Sequence, residues 1–162
     1  MLEKLRKAMK AADIDMLLIP SADPHGSEYP EEYFKARKHF SGFTGSAGTL
    51  LIWQGGAGLW TDGRYFIQAE RQLEGSGIDL FKMREPGVPT VDEFIAENIK
   101  GGVLGADLRT ISASEGMELE KGGAILKDCR SLIDGCWEGR PELSREPAYV
   151  LPMELAGVSS SD

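Results

Sequence analysis

Histidine and cysteine are scarce in this chain, with two of each among 162 residues. A catalytic metal centre takes three or more converging His or carboxylate ligands. His25 and His39 are widely separated in the sequence, so no intrinsic metal site is expected. Cys129 and Cys136 match no zinc-ligand spacing. They read as buried thiols in a reducing compartment, and nothing in their spacing requires a disulfide. No apolar stretch approaches the ~20 residues of a membrane span; Met16–Ile19 is typical of the short runs present. Charges interrupt the N-terminus at Glu3 and Lys4, which is unlike a secretory signal, so a cytoplasmic location is expected. The metalloprotease helix motif, the nucleophile elbow, the phosphate loop and the dinucleotide fingerprint are all missing. Lys and Arg number 18 against 26 Asp and Glu, a net charge of -8. That field disfavours nucleic acid and anionic membranes and leaves room for a basic or amine-bearing partner.

What is present fits about one domain at the usual ~150 residues each. The 41% hydrophobic and 27% charged residues are ordinary globular proportions. Glycine, at 20 residues, is well above the usual ~7% and implies many tight turns or close backbone approaches. Leu2, Leu5, Ala8, Met9 and Ala12 recur at helical spacing. Met16–Ile19, stopped by Pro20, reads as a strand buried on both faces. Pro30 suits the first position of a helix running to Phe40. Gly48–Trp53 and Leu59–Thr61 read as strands joined through the Gly55–Gly58 turn. Arg64–Glu74 reads as a helix and Ile78–Met83 as a strand. Thr90 with Glu93, and Ser112 with Glu115, are capping-box pairs for two further helices. Gly101–Asp107, Ala124–Leu126 and Leu132–Ile133 complete the expected strands. Alternating strands and helices with one tight hairpin give an α/β fold on a mixed sheet. Pro141, Pro147 and Pro152 mark an extended linker, and Ser159–Asp162 reads as helix-cap sequence with no helix after it. The expected division is a domain over 1–140, then a linker and the start of a second domain over 141–162.

Two polar loops concentrate reactive side chains. The first, Ser21–Tyr29, follows a strand and carries Asp23, His25, Glu28 and Tyr29. Ligands of open α/β sheets bind at strand carboxyl ends, and a capped turn closed by Asp23 is the alternative. The second loop is Trp60-Thr61-Asp62-Gly63-Arg64-Tyr65. Arg64 falls at a helix start, where the macrodipole disfavours a cation by about 0.3–1 kcal/mol. Its guanidinium needs an acceptor, either an internal carboxylate such as Asp62 or Glu28, or a ligand carboxylate or carbonyl. His39 reads as a surface or partly buried helical residue, and Trp53, Trp60 and Trp137 as core.

These loops carry a resemblance. Ile19-Pro20-Ser21-Ala22-Asp23-Pro24-His25-Gly26-Ser27-Glu28-Tyr29 is similar to the I-P-S-x-D-x-H-x-S-E-Y string of Xaa-Pro aminopeptidases (aminopeptidase P, peptidase family M24). Ser41–Thr49 and Trp60–Phe66, the latter followed by Gln68-Ala69, resemble that family's S-G-F-x-G-S-A-G-T and W-T-D-G-R-Y-F-x-Q-A strings. The resemblance covers 16–85 well and 86–140 more loosely. It returns at Arg140-Pro141, Leu151-Pro152 and Ala156-Gly157, and favours the longer, cytosolic, three-domain form. It implies a creatinase-type N-terminal domain with a mixed sheet of about six strands flanked by helices. It also implies a full-length metallopeptidase that removes the first residue from peptides with proline second. Two divalent metals, usually manganese, would be held by two Asp, one His and two Glu of a later catalytic domain. None of those five positions lies in this chain, so the piece alone is expected to be inactive. Substrate contacts carry over to Arg64, to Asp23 through its shorter relatives, and to His25. Gly26 stands where the family frequently has Gln. Expected partners are the proline-second peptide, the catalytic domain and a second copy in a homodimer. A non-catalytic peptide- or histone-binding module of the same fold is the alternative.

Overall fold

The computed structural model describes residues 1–159 and 161. In chain order the elements are α1 (Leu2–Ala11), β1 (Met16–Pro20), α2 (Ala36–Ser41), β2 (Thr49–Trp53), β3 (Gly56–Thr61), α3 (Phe66–Leu73) and β4 (Asp79–Lys82). They continue with α4 (Val91–Ile99), β5 (Val103–Ala106), α5 (Ala113–Lys121), β6 (Ile125–Asp128), α6 (Arg130–Cys136) and α7 (Met153–Ala156). The strands form one sheet in the order β4-β3-β2-β1-β5-β6. β2 is antiparallel to both β1 and β3, while the pairs β3–β4, β1–β5 and β5–β6 are parallel. Five strands therefore point the same way. Their carboxyl ends share one edge of the sheet with the amino end of β2.

Alternation along the strands feeds a core on each face. Leu17 and Ile19 of β1, Leu50 and Ile52 of β2, and Ala57 and Leu59 of β3 pack with Leu5, Met9, Phe40, Leu73 and Ile133 from α1, α2, α3 and α6. Met16, Leu18, Leu51, Trp60 and Leu104 face the other way, against Ile95 and Ile99 of α4 and Leu119 of α5. The result is the mixed six-stranded α/β sheet with helices on both faces. Cys129 and Cys136 are free, buried thiols, and burial pushes both above the ordinary thiol pKa.

Four local readings change. The helix expected from Pro30 is split: a 3-10 turn over Glu32–Phe34 precedes α2, with Lys35 between them at ψ 35. Phe34 and the α2 residues Arg37 and Phe40 are all buried. α3 starts at Phe66, because the Asp62 side chain accepts the Arg64 N–H and the Asp62 carbonyl accepts that of Tyr65. That Asx turn delays the helix by two residues. Leu132 and Ile133 lie in α6, where Cys129, Ile133, Cys136 and Trp137 are buried at helical spacing against α1. Finally, Gly56–Gly58 belongs to β3, not to the turn. A Cβ on Gly58 would sit 2.6 Å from Phe81 and 2.7 Å from Trp60. The glycine makes room for the stack of those two rings, 3.9 Å between centroids at 10°.

After α6 a short turn leads into a stretch without regular structure up to α7, anchored at Arg140 and by the Ser144 N–H donating to the Glu31 carboxylate. The Arg140 guanidinium donates to the Tyr33 carbonyl at 2.7 and 2.9 Å and to Asp134 at 2.6 Å, and lies 3.7 Å over the Tyr33 ring. The cap sequence expected in Ser159–Asp162 falls partly on Ser160 and Asp162, which lie outside the described residues.

Candidate functional site: a groove at the carboxyl edge

The groove opens where β1, β3 and β5 end and β2 begins. Its volume is about 770 Å³, and its lining includes Ser21, Asp23, Glu28, Ser46, Arg64, Arg109 and Glu115. The two loops read from the sequence thus meet in space. Asp23 and Arg64 line the groove; His25 is exposed and is not part of its lining.

The loop after β1 closes on itself around Asp23. The buried Asp23 carboxylate accepts the His25 N–H at 2.9 Å and the Ser27 N–H at 3.0 Å. The Ser27 hydrogen bonds, with help from the His25 N–H, hold its pKa below the ordinary carboxylate value. This is the geometry of a capped turn, closed by the His25 and Ser27 N–H groups on Asp23.

Arg64 sits on the turn after β3. Asp62 takes its Nε at 2.9 Å and Nη2 at 2.8 Å, a fork-to-fork pair. The Arg64 side chain remains 66% exposed, so Asp62 orients the guanidinium without covering it. The internal acceptor foreseen for Arg64 is therefore Asp62. Its bonds to Arg64 hold the Asp62 carboxyl down at about 2, and raise the Arg64 pKa. The Arg64 guanidinium also lies 5.3 Å from the Tyr65 ring centre.

The same turn chemistry recurs at two more strand ends. Arg109 donates Nε to Asp107 at 3.0 Å and Nη2 at 2.7 Å, just after β5. Arg130 donates Nε to Asp128 at 2.7 Å, where β6 gives way to α6. The D-x-R spacing is visible in the sequence at Asp62, Asp107 and Asp128, and it is the signal by which Arg109 could have been found. The glycine-rich stretch before β2 forms the remaining wall. Thr61 Oγ1 donates to the Ala47 carbonyl at 2.7 Å, and Ser46 Oγ shares a 2.7 Å hydrogen bond with the Tyr65 hydroxyl.

Chemically the groove mixes two guanidinium groups with the carboxylates of Asp23, Glu28 and Glu115. Such a lining can take carbonyl or carboxylate oxygens on one side and an amine on the other. Among the described residues no group of three or more His, Cys, Asp or Glu side chains could hold a metal ion.

Together the sheet order and this groove define a creatinase-type α/β domain. Residues 1–136 match the Creatinase/Prolidase N-terminal domain family, and the chain belongs to that family. It is 42% identical over 165 aligned positions to a probable Xaa-Pro aminopeptidase P of Coccidioides posadasii, covering 98% of this chain and 27% of that protein. A probable Xaa-Pro aminopeptidase P of Tuber melanosporum is 41% identical, covering 96% of this chain and 26% of that protein. The chain thus spans about a quarter of the length of these relatives. Among solved structures, the X-prolyl aminopeptidase of Caenorhabditis elegans superposes with a TM-score of 0.84 at 32% identity, over 99% of this chain and 29% of that one. It is described as a cytosolic enzyme with a di-nuclear active site. An isolated Creatinase/Prolidase-like N-terminal domain from Corynebacterium diphtheriae shares the fold alone, at TM-score 0.58 and 23% identity, over 78% of this chain and 91% of that one.

Proposed function

We propose that this chain is the N-terminal domain of an Xaa-Pro aminopeptidase, dividing into a packed domain over 1–140 and a connection from 141 onward. In this reading the domain carries no chemistry of its own and shapes the substrate end of an active site built elsewhere in the full-length enzyme. The observation that carries it is Arg64, oriented by Asp62 yet open to the groove, on a chain similar over nearly its whole length to such enzymes. Arg64 contacts the peptide, with Asp23 and the His25 loop beside it. Among the described residues no His, Cys, Asp and Glu side chains group in a way that would hold a metal ion. The metals, manganese by expectation, belong to residues outside this chain, and no step is assigned to them here. A cytoplasmic location accords with the cytosolic C. elegans neighbour. No described helix is long and apolar enough to cross a membrane. The full-length protein is read as a homodimer.

In the full-length protein Arg64→Ala should lower kcat/KM for a tripeptide with proline second by about tenfold or more, the worth of one charge-assisted contact at roughly 1.5–3 kcal/mol. Unchanged kcat/KM removes Arg64 from the substrate site. A second reading, a non-catalytic module for basic peptides such as histone tails, is favoured by the acidic surplus of Asp23, Glu28 and Glu115 around the groove. It predicts micromolar binding of a basic peptide, weakened by salt, with no proline-dependent turnover in the full-length protein.

A further inference from the structure

Arg37 is buried, at 6% exposure, and its hydrogen bonds go to no carboxylate. Buried cations are normally paired, because an unpaired charge loses its water without recompense. Here Nε donates to Ser21 Oγ at 2.8 Å, Nη1 to the Phe43 carbonyl at 2.6 Å, and Nη2 to the Gly45 carbonyl. Its guanidinium also lies 4.9 Å from the Phe43 ring centre. Burial brings its pKa down to about 10, so it stays charged at neutral pH.

The three acceptors come from the segments that build the groove. Ser21 leaves β1 and itself donates to the Gly48 carbonyl at 2.7 Å. Phe43 and Gly45 belong to the stretch before β2. Gly45 leaves no room for a side chain, since a Cβ there would lie 2.8 Å from the Tyr65 ring and against Phe43. One residue on, Ser46 bonds the Tyr65 hydroxyl, and Tyr65 lies beside Arg64. A continuous path therefore runs from Arg37 through Gly45, Ser46 and Tyr65 to Arg64. Arg37 also walls a cavity of about 250 Å³ that shares Ser21, Glu28 and Ser46 with the groove.

We propose that Arg37 is a positioning residue: its guanidinium pins the glycine-rich stretch to β1 and so sets where Tyr65 and Arg64 stand in the groove. It touches no ligand and acts through Arg64. The inference rests on the peptide-site reading of Arg64, and the test separates the two. A planar fork with three separately directed bonds is what a Lys ammonium cannot reproduce, so Arg37→Lys keeps the charge and loses the clamp.

The experiment is a double-mutant cycle in the full-length protein, at a temperature well below the melting points of all variants, with an Ala-Pro-Ala peptide as probe. The variants are Arg37→Lys, Arg64→Ala and their combination. The expected result is a severalfold rise in KM from Arg37→Lys alone and no further change when it is added to Arg64→Ala. If Arg37→Lys multiplies its full effect onto Arg64→Ala, the two act independently and the proposal is overturned while the Arg64 reading survives. If Arg64→Ala changes nothing, the peptide reading falls. The positioning role is then decided by the Tyr65 ring signals in NMR spectra of the Arg37→Lys protein. Shifted signals sustain the role, and unshifted signals end it.

Discussion

The two edges of the sheet are built by different means. At the edge where β1, β5 and β6 begin, turns are short and close mainly on backbone, with side-chain help such as Asp15 Oδ2 accepting the Val103 N–H at 2.7 Å. Gly102 N–H donates to the Ile99 carbonyl at 2.8 Å, Ile125 N–H to the Gly102 carbonyl at 2.9 Å, and Ala124 N–H to the Leu119 carbonyl at 3.1 Å. Left-handed residues Asp13, Lys100, Gly101 and Gly123 turn the chain there. At the carboxyl edge the loops are longer and are held by side chains. The buried polar residues of the described chain are Asp23, Arg37, Ser41, Thr61 and Asp107, and each lies in these loops or bonds to them. Burying polar groups costs free energy unless every one is satisfied. A fold that needed only stability could close both edges like the first. Under the proposed peptide-site reading, the carboxyl edge is the one that would meet a ligand.

The largest expected effects test that division with two glycines that leave no room for a methyl group. A Cβ on Gly102 would lie 2.6 Å from Asp15 Oδ2 and 2.9 Å from the Ile99 carbonyl, at the backbone-built edge. A Cβ on Gly45 would press on Phe43 and Tyr65, at the side-chain-built edge. Overpacking costs about 1–3 kcal/mol, so both Gly45→Ala and Gly102→Ala should lower the melting temperature by roughly 2–4 °C per kcal/mol. Only Gly45→Ala should also weaken peptide turnover in the full-length protein, measured below both melting points. Equal loss of turnover in the two variants would break the comparison.

A smaller effect asks whether the groove, and not merely its edge, is what matters. The capping boxes of α4 and α5 are both complete: Thr90 and Glu93 exchange bonds, and so do Ser112 and Glu115. Thr90→Ala and Ser112→Ala should each cost about 1 kcal/mol by denaturant melting. Ser112 and Glu115 line the groove, whereas Thr90 and Glu93 do not. Ser112→Ala removes the acceptor of the Glu115 N–H and loosens the first turn of α5, while the backbone N–H of residue 112 still reaches the Glu115 carboxylate; it should change KM modestly, and Thr90→Ala should leave KM alone.

Much of this contrast was legible in the sequence, but unevenly. Periodicity marks α1, the continuous apolar runs mark β1 and β2, and the spacing of Thr90–Glu93 and Ser112–Glu115 marks two helix starts, because these signals are local. Asp23 stood out because polar residues cluster after a strand, and Arg64 because a cation at a helix start needs an acceptor. The fate of Leu132–Ile133 was not legible, since two apolar residues carry no period; the neighbouring Cys129, Cys136 and Trp137 supply it only once the face is known. Gly58 looked like turn chemistry because the ring it makes room for, Phe81, is distant in the chain. Arg37 was invisible. On a short helix rich in Lys and His it reads as one more solvated cation, and its acceptors are carbonyls that leave no residue-type signature.

The smallest expected change in stability belongs to the pair most exposed at the groove. Asp62 and Arg64 are two residues apart and the Arg64 side chain is 66% exposed, so solvent screens the pair and part of it persists in the unfolded chain. Arg64→Ala should leave the melting temperature at neutral pH essentially unchanged. The titration of Asp62 should nonetheless move clearly. Its native carboxyl is held at about 2, below the ordinary 3.8, chiefly by the Arg64 side chain. A lowered carboxylate pKa adds stability that is fully present above the unfolded value and fades as the pH falls through the native one. The acid window of the turn is therefore about 2 to 3.8, and NMR of the Asp62 side chain should place its midpoint at the low end. In Arg64→Ala the midpoint should climb toward the ordinary value, held back by what remains of the backbone bond from residue 64. High salt should move the native midpoint in the same direction. A native midpoint near 3.8 would mean that the Asp62–Arg64 fork does not form in solution, leaving Arg64 unoriented and the two edges of the sheet less different than they look.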